Sequence, residues 1–123
     1  MDLALIVGLV GAVGAIGRYL IDGAVQDRTK GVFPFGTFTV NVVGSLILGL
    51  FTGLLWYHHL PVHAEIVIGT GLCGALTTWS AASWETVRLV EDGDYRQAAM
   101  NAFGGVGAAV LAGALGIALA AII

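Results

Sequence analysis

Hydroxyl and amide side chains stand in this chain inside stretches otherwise suited to lipid, and they are the residues with chemistry to offer. The densest group lies in residues 69–85, GTGLCGALTTWSAASWE, where Thr77, Thr78, Ser80 and Ser83 follow Gly69, Gly71 and Gly74. Each such glycine weakens a helix interior by about 1 kcal/mol relative to alanine. Broken backbone in hydrocarbon persists only where protein buries it or an aqueous cavity meets it. A glycine-loosened, hydroxyl-rich segment in that setting reads as an ion or substrate site. The pattern predicts two half-helices, one ending near Cys73 and the other starting near Thr78. Helix ends carry unsatisfied backbone groups and partial charges, so such a break can hold an ion; a packing kink satisfied by its neighbours is the other reading.

A second polar set, Thr37, Asn41, Ser45, Gly49 and Thr52, recurs every three or four residues and therefore shares one helix face. An amide in hydrocarbon must find a partner or a wet cavity. Asn41 is either interhelical glue or, with its flanking hydroxyls, part of a pathway lining, which is the reading adopted here. Asn101 is the polar position of the last apolar stretch, beside Gly104, Gly105 and Gly107. Arg18 closes the first apolar stretch. It either snorkels to the interface or faces a water-filled vestibule that attracts anions.

No span interior is expected to hold Asp, Glu or Lys, and proton-coupled carriers and cation exporters usually place a carboxylate there. What the interior offers is donors: Asn41, Asn101 and the Ser and Thr hydroxyls, with the electropositive ring edge of Trp79 beside them. That set suits a small, strongly hydrogen-bonding anion. Enzyme chemistry is not expected, because Ser80 and Ser83 have no base within their span. His58, His59 and His63 have only Glu65 as a further ligand nearby, so solvated interfacial histidines are preferred to a metal site.

The elements that must position these residues follow from composition. Of 123 residues 58% are hydrophobic and 11% charged, against roughly 25% charged in soluble domains. Asp, Glu, Lys and Arg are absent from 3–17, 31–64, 66–84 and 97–123. A spanning helix needs about 20 mostly apolar residues. Four spans are therefore predicted in one domain, at about 3–21, 35–57, 64–90 and 95–120. Gly8, Gly11, Gly14 and Gly17 give the first a small-residue face for close helix contact. Trp56 and Tyr57 mark an interface. The N-terminus lacks the basic leader and polar cleavage zone of a signal peptide. Cys73 has no second cysteine to pair with, and a net charge of −3 argues against nucleic acid as a partner.

Three blocks, GLVGAVGAIGRYL (8–20), PFGTFTVNVVGSLILG (34–49) and GLCGALTTWSAASWE (71–85), together resemble the signature blocks of the Fluc fluoride channel family, also called CrcB. The resemblance implies an all-α, four-helix subunit in the cell membrane that pairs antiparallel and carries two fluoride pores around a central sodium ion. It implies that the carbonyls of Gly74 and Thr77 bind that sodium. Asn41 corresponds to the pore asparagine, Arg18 to the basic vestibule residue, and Ser80 and Ser83 to the polar track; Thr37, Ser45, Trp79 and Asn101 complete the expected lining. The family's block usually reads TTFSTFS; here Trp79 and Ala82 stand at its two phenylalanines and Ala81 at a threonine. In the fourth span, Asn101 and Gly105 stand where a tyrosine and a serine are common.

The five cations, Arg18, Arg28, Lys30, Arg88 and Arg96, all fall on the side of the first and third loops. The positive-inside rule places that side in the cytoplasm and both termini outside. One-way insertion in turn implies an oppositely oriented paralogue as partner; a dual-topology homodimer is the alternative. Two rival functions accompany the fluoride channel: a non-conducting or altered-selectivity subunit of a heterodimer, and a small multidrug-type exporter, which would need a carboxylate in the first span.

Overall fold

The computed structural model describes residues 2–123, and four helices in it are long and apolar enough to cross a membrane. α1 (Leu3–Arg28) starts on Asp2, whose carboxylate accepts the Ala4 N–H. It runs without interruption through the segment expected to be the first loop. At about 1.5 Å per residue its 26 residues exceed a bilayer core of about 30 Å, so its last two turns project beyond the hydrocarbon. Those turns do structural work: Gln26 Oε1 accepts the Gly36 N–H at 2.8 Å, and a methyl at Gly36 would collide with Asp22. The end of α1 thus holds the start of α2 (Phe35–His58), which Pro34 precedes.

The third span, Val62–Glu91, is assembled from pieces. A short α3 (Val62–Glu65) passes into a π-helical stretch, Ile66–Cys73, then into the single turn α4 (Gly74–Leu76). Thr77 and Thr78 are extended, and α5 (Trp79–Glu91) follows. The loosening expected from the glycines takes the form of a wider helix rather than an end near Cys73, and the true break is two residues, three positions later. π-Helical turns inside α-helices occur mostly at functional sites. Thr78 caps α5 by accepting the Ala81 N–H on its hydroxyl at 3.1 Å.

The fourth span, Tyr95–Ile122, comprises α6 (Tyr95–Ala99), a π-helical turn at Met100–Gly104, and α7 (Gly105–Ile122). A tight turn at Gly93, φ 79°, connects it to the third. α2 and α7 lie almost backbone to backbone. A methyl at Gly49 would meet the Gly113 carbonyl, and one at Gly116 the Leu46 carbonyl. On the other side, α1 packs on the π-helical stretch, with Gly14 against the Leu72 carbonyl. In lipid, where burial of apolar surface gives helices no drive to associate, this close packing is what holds them together.

Candidate ion site at the break in the third span

Asn41 sits on α2 directly opposite the break and pairs with both backbone groups of Thr78. Its Oδ1 accepts the Thr78 N–H at 2.7 Å, and its Nδ2 donates to the Thr78 carbonyl at 3.0 Å. The side chain stands in for a neighbouring strand and leaves one amide proton over. Gly44, one turn along α2, admits the Thr77 side chain; a methyl there would collide with it. Asn41 is therefore both interhelical glue and a wall of the cavity beside it.

The break leaves the carbonyls of Gly74, Ala75, Leu76 and Thr77 without the donors a continuous helix would give them. In a continuous helix Thr78 N–H would bond the Gly74 carbonyl, and Ala81 N–H the Thr77 carbonyl. The first goes to Asn41 and the second to the Thr78 hydroxyl. The Cys73 carbonyl, by contrast, accepts both the N–H (3.0 Å) and the hydroxyl (2.9 Å) of Thr77. Gly74 and Thr77 are among the carbonyls so freed, and Gly74 is exposed. Carbonyl oxygens of this kind fit a hard monovalent cation.

A cavity of about 570 Å³ runs alongside. Thr37, Asn41, Ser45, Trp79, Ser83 and Asn101 all line it, as the polar pattern led one to expect, together with Thr78, Ala82 and Thr86. Trp79 opens α5 at the cavity edge and is 74% exposed. Asn101, 5% exposed, lies in the π-helical turn of span four. Its Nδ2 donates to the Ala82 carbonyl (3.2 Å) and to Thr86 Oγ1 (2.9 Å), so its amide ties span four to α5.

Arg18 and Ser80 belong to a different place. They line a second concavity with Tyr19, Asp22, Ala81 and Trp84, and Thr37 and Thr78 border both spaces. Ser80 Oγ lies 3.3 Å from Thr78 Oγ1. The expected single lining is two adjoining spaces, one walled by neutral donors and one lined by both Arg18 and Asp22. His58 Nε2 meets the Ala120 carbonyl at 2.7 Å and joins the end of α2 to the end of α7.

Glu85 corrects the expectation that no carboxylate reaches the interior. Its Oε1 accepts the hydroxyl of Thr37, itself 3% exposed, at 2.9 Å; its Oε2 is buried with no hydrogen-bond partner among the described residues. The signal was available in the helical repeat, since Thr78, Ala82 and Glu85 fall on one face of α5.

This geometry defines a class: a small protein of four membrane-spanning helices, the third interrupted beside a cavity walled by amide and hydroxyl side chains. The family model described as CrcB-like protein, Camphor Resistance (CrcB), matches residues 5–117. Over 114 residues the chain is 55% identical to the fluoride-specific ion channel FluC 1 of Frankia casuarinae, covering 89% of this chain and 88% of that one. It is 50% identical over 105 residues to FluC 1 of Streptomyces avermitilis, 85% of each chain. It is 42% identical over 111 residues to FluC 2 of Haloarcula marismortui, 90% of this chain and 87% of that one. The chain belongs to the CrcB (FluC) family, a family of channels and not of enzymes.

Proposed function

We propose that the protein is a fluoride channel that lets fluoride leave the cytoplasm passively across the cell membrane. The supporting observation is the clasp of Asn41 on Thr78, beside a cavity whose other polar groups are uncharged donors and hydroxyls. An anion leaving water needs donors, and these supply them without a fixed charge that would trap it. The names of the relatives supply fluoride as the ion. Arg18 in the adjoining space draws anions towards the path.

The carbonyls of Gly74 and Thr77 would hold a sodium ion between two antiparallel subunits, adding fixed positive potential near the anion path. The cations on one side favour one-way insertion and a paralogous partner of opposite orientation. Relatives with numbered names, FluC 1 and FluC 2, accord with paired chains. Ala81 and Ala82 also favour a second reading, a subunit whose own pore is altered and whose partner supplies the missing aromatics. Family membership sets aside the small multidrug exporter.

Efflux from proteoliposomes, followed with fluoride and chloride electrodes, tests the proposal. Fluoride efflux well above chloride is expected, from the chain alone or with its paralogue. Efflux equal to that of protein-free liposomes in both preparations would refute it. A conducting antiparallel homodimer purified from the chain expressed alone would refute the need for a paralogue.

A further inference from the structure

The polar face of α2 does not stop where the cavity does. Along α2 the cavity is lined by Thr37, Asn41 and Ser45 and then by Leu48. Thr52 stands one turn further on the same face, and its hydroxyl is directed at Glu65 Oε1, at 3.5 Å. Glu65 is half-buried and ends α3. One turn later comes Gly69, which is buried and lines the cavity. A methyl at Gly69 would stand 3.1 Å from Glu65 Oε1 and 2.9 Å from Leu48 Cδ1. The carboxylate and Leu48 therefore meet over one face of Gly69, at the end of the cavity.

This is the end away from the cations. Arg18, Arg28, Lys30, Arg88 and Arg96 all belong to the side of the first and third loops, and Glu65 follows the second. A fixed charge beside a low-dielectric path is felt over several ångströms, because little water screens it. Carboxylates along a path favour cations, and Arg and Lys favour anions. Resting on the channel reading above, we infer that Glu65 sets the rate at which anions pass: its carboxylate raises the barrier at the outer end of the path, opposite the end where Arg18 draws anions in. Thr52 holds the carboxylate in place and takes no part in the barrier itself. Gly69 leaves the carboxylate room to lie against the cavity wall.

Glu65→Gln, Glu65→Lys and Thr52→Val test this in proteoliposomes with equal reconstituted amounts of protein. E65Q keeps the size of the side chain and an acceptor for Thr52 but removes the charge, and is expected to speed fluoride efflux about threefold or more. E65K, with the opposite charge, is at least as fast as E65Q. T52V keeps the charge and loses the hydroxyl, and stays within about twofold of wild type. Wild type and E65Q both at the protein-free leak would refute the channel reading and this inference with it. With wild type conducting, an E65Q protein that matches it or falls below it overturns this inference alone. So does an E65K protein slower than wild type, or a T52V protein that speeds efflux as much as E65Q, since packing rather than charge would then set the rate.

Discussion

Two asparagines enter the membrane region, Asn41 on α2 and Asn101 in the π-helical turn of span four, and both line one cavity. They use the same amide differently. Asn101 donates twice to a neighbouring helix, to the Ala82 carbonyl and the Thr86 hydroxyl, and acts as a staple between intact elements. Asn41 both accepts and donates, and its partner is the backbone of Thr78, where the third span has no helix. One amide joins helices; the other takes the place of a missing one. Only the second keeps a donor for an ion. A polar residue in a membrane helix is thus read from the protons it has left, not from its being polar.

Substitutions separate the two. Asn41→Ala removes the partners of both Thr78 backbone groups, at about 1–3 kcal/mol each. It is expected to lower the melting temperature in detergent and to cut fluoride efflux about a hundredfold. Equal losses from Asn41→Ala and Asn101→Ala would erase the contrast. Gly44→Ala comes next. Its methyl meets the Thr77 side chain, and overpacking of that kind costs about 1–3 kcal/mol. Efflux drops about tenfold, because the break is pushed away from Asn41. Asn101→Ala has the smallest effect on transport. It costs about 1–2 kcal/mol of stability, read by thermal melting, and changes efflux by less than about fivefold.

Much of this architecture was legible in the chain. Charge-free stretches gave four spans, and the step of Thr37, Asn41 and Ser45 gave the polar face of α2. Glycines before Thr77 and Thr78 announced an interrupted helix. The placement of the break was less legible, because a run of glycines can widen a helix as well as end it, and residues 66–73 widen. The end of α1 was hidden for another reason: the charged residues 22–28 look like a loop, while Asp22 and Gln26 pack on the start of α2 and keep the segment helical. Which donors are already committed depends on carbonyls brought from other helices or from the preceding turn. Glu85 on Thr37 and Asn101 on Ala82 are contacts of that kind between distant residues.

Asn41→Asp bears most directly on the claim that neutral amide and hydroxyl donors at a propped-open break carry the anion. The carboxylate still accepts the Thr78 N–H, so the shape of the clasp survives, but both amide protons are lost and a negative charge faces the cavity. Measured with a fluoride electrode in proteoliposomes, beside wild type of equal reconstituted amount, this variant is expected to fall to the protein-free leak. Fluoride efflux at the wild-type rate would contradict the account.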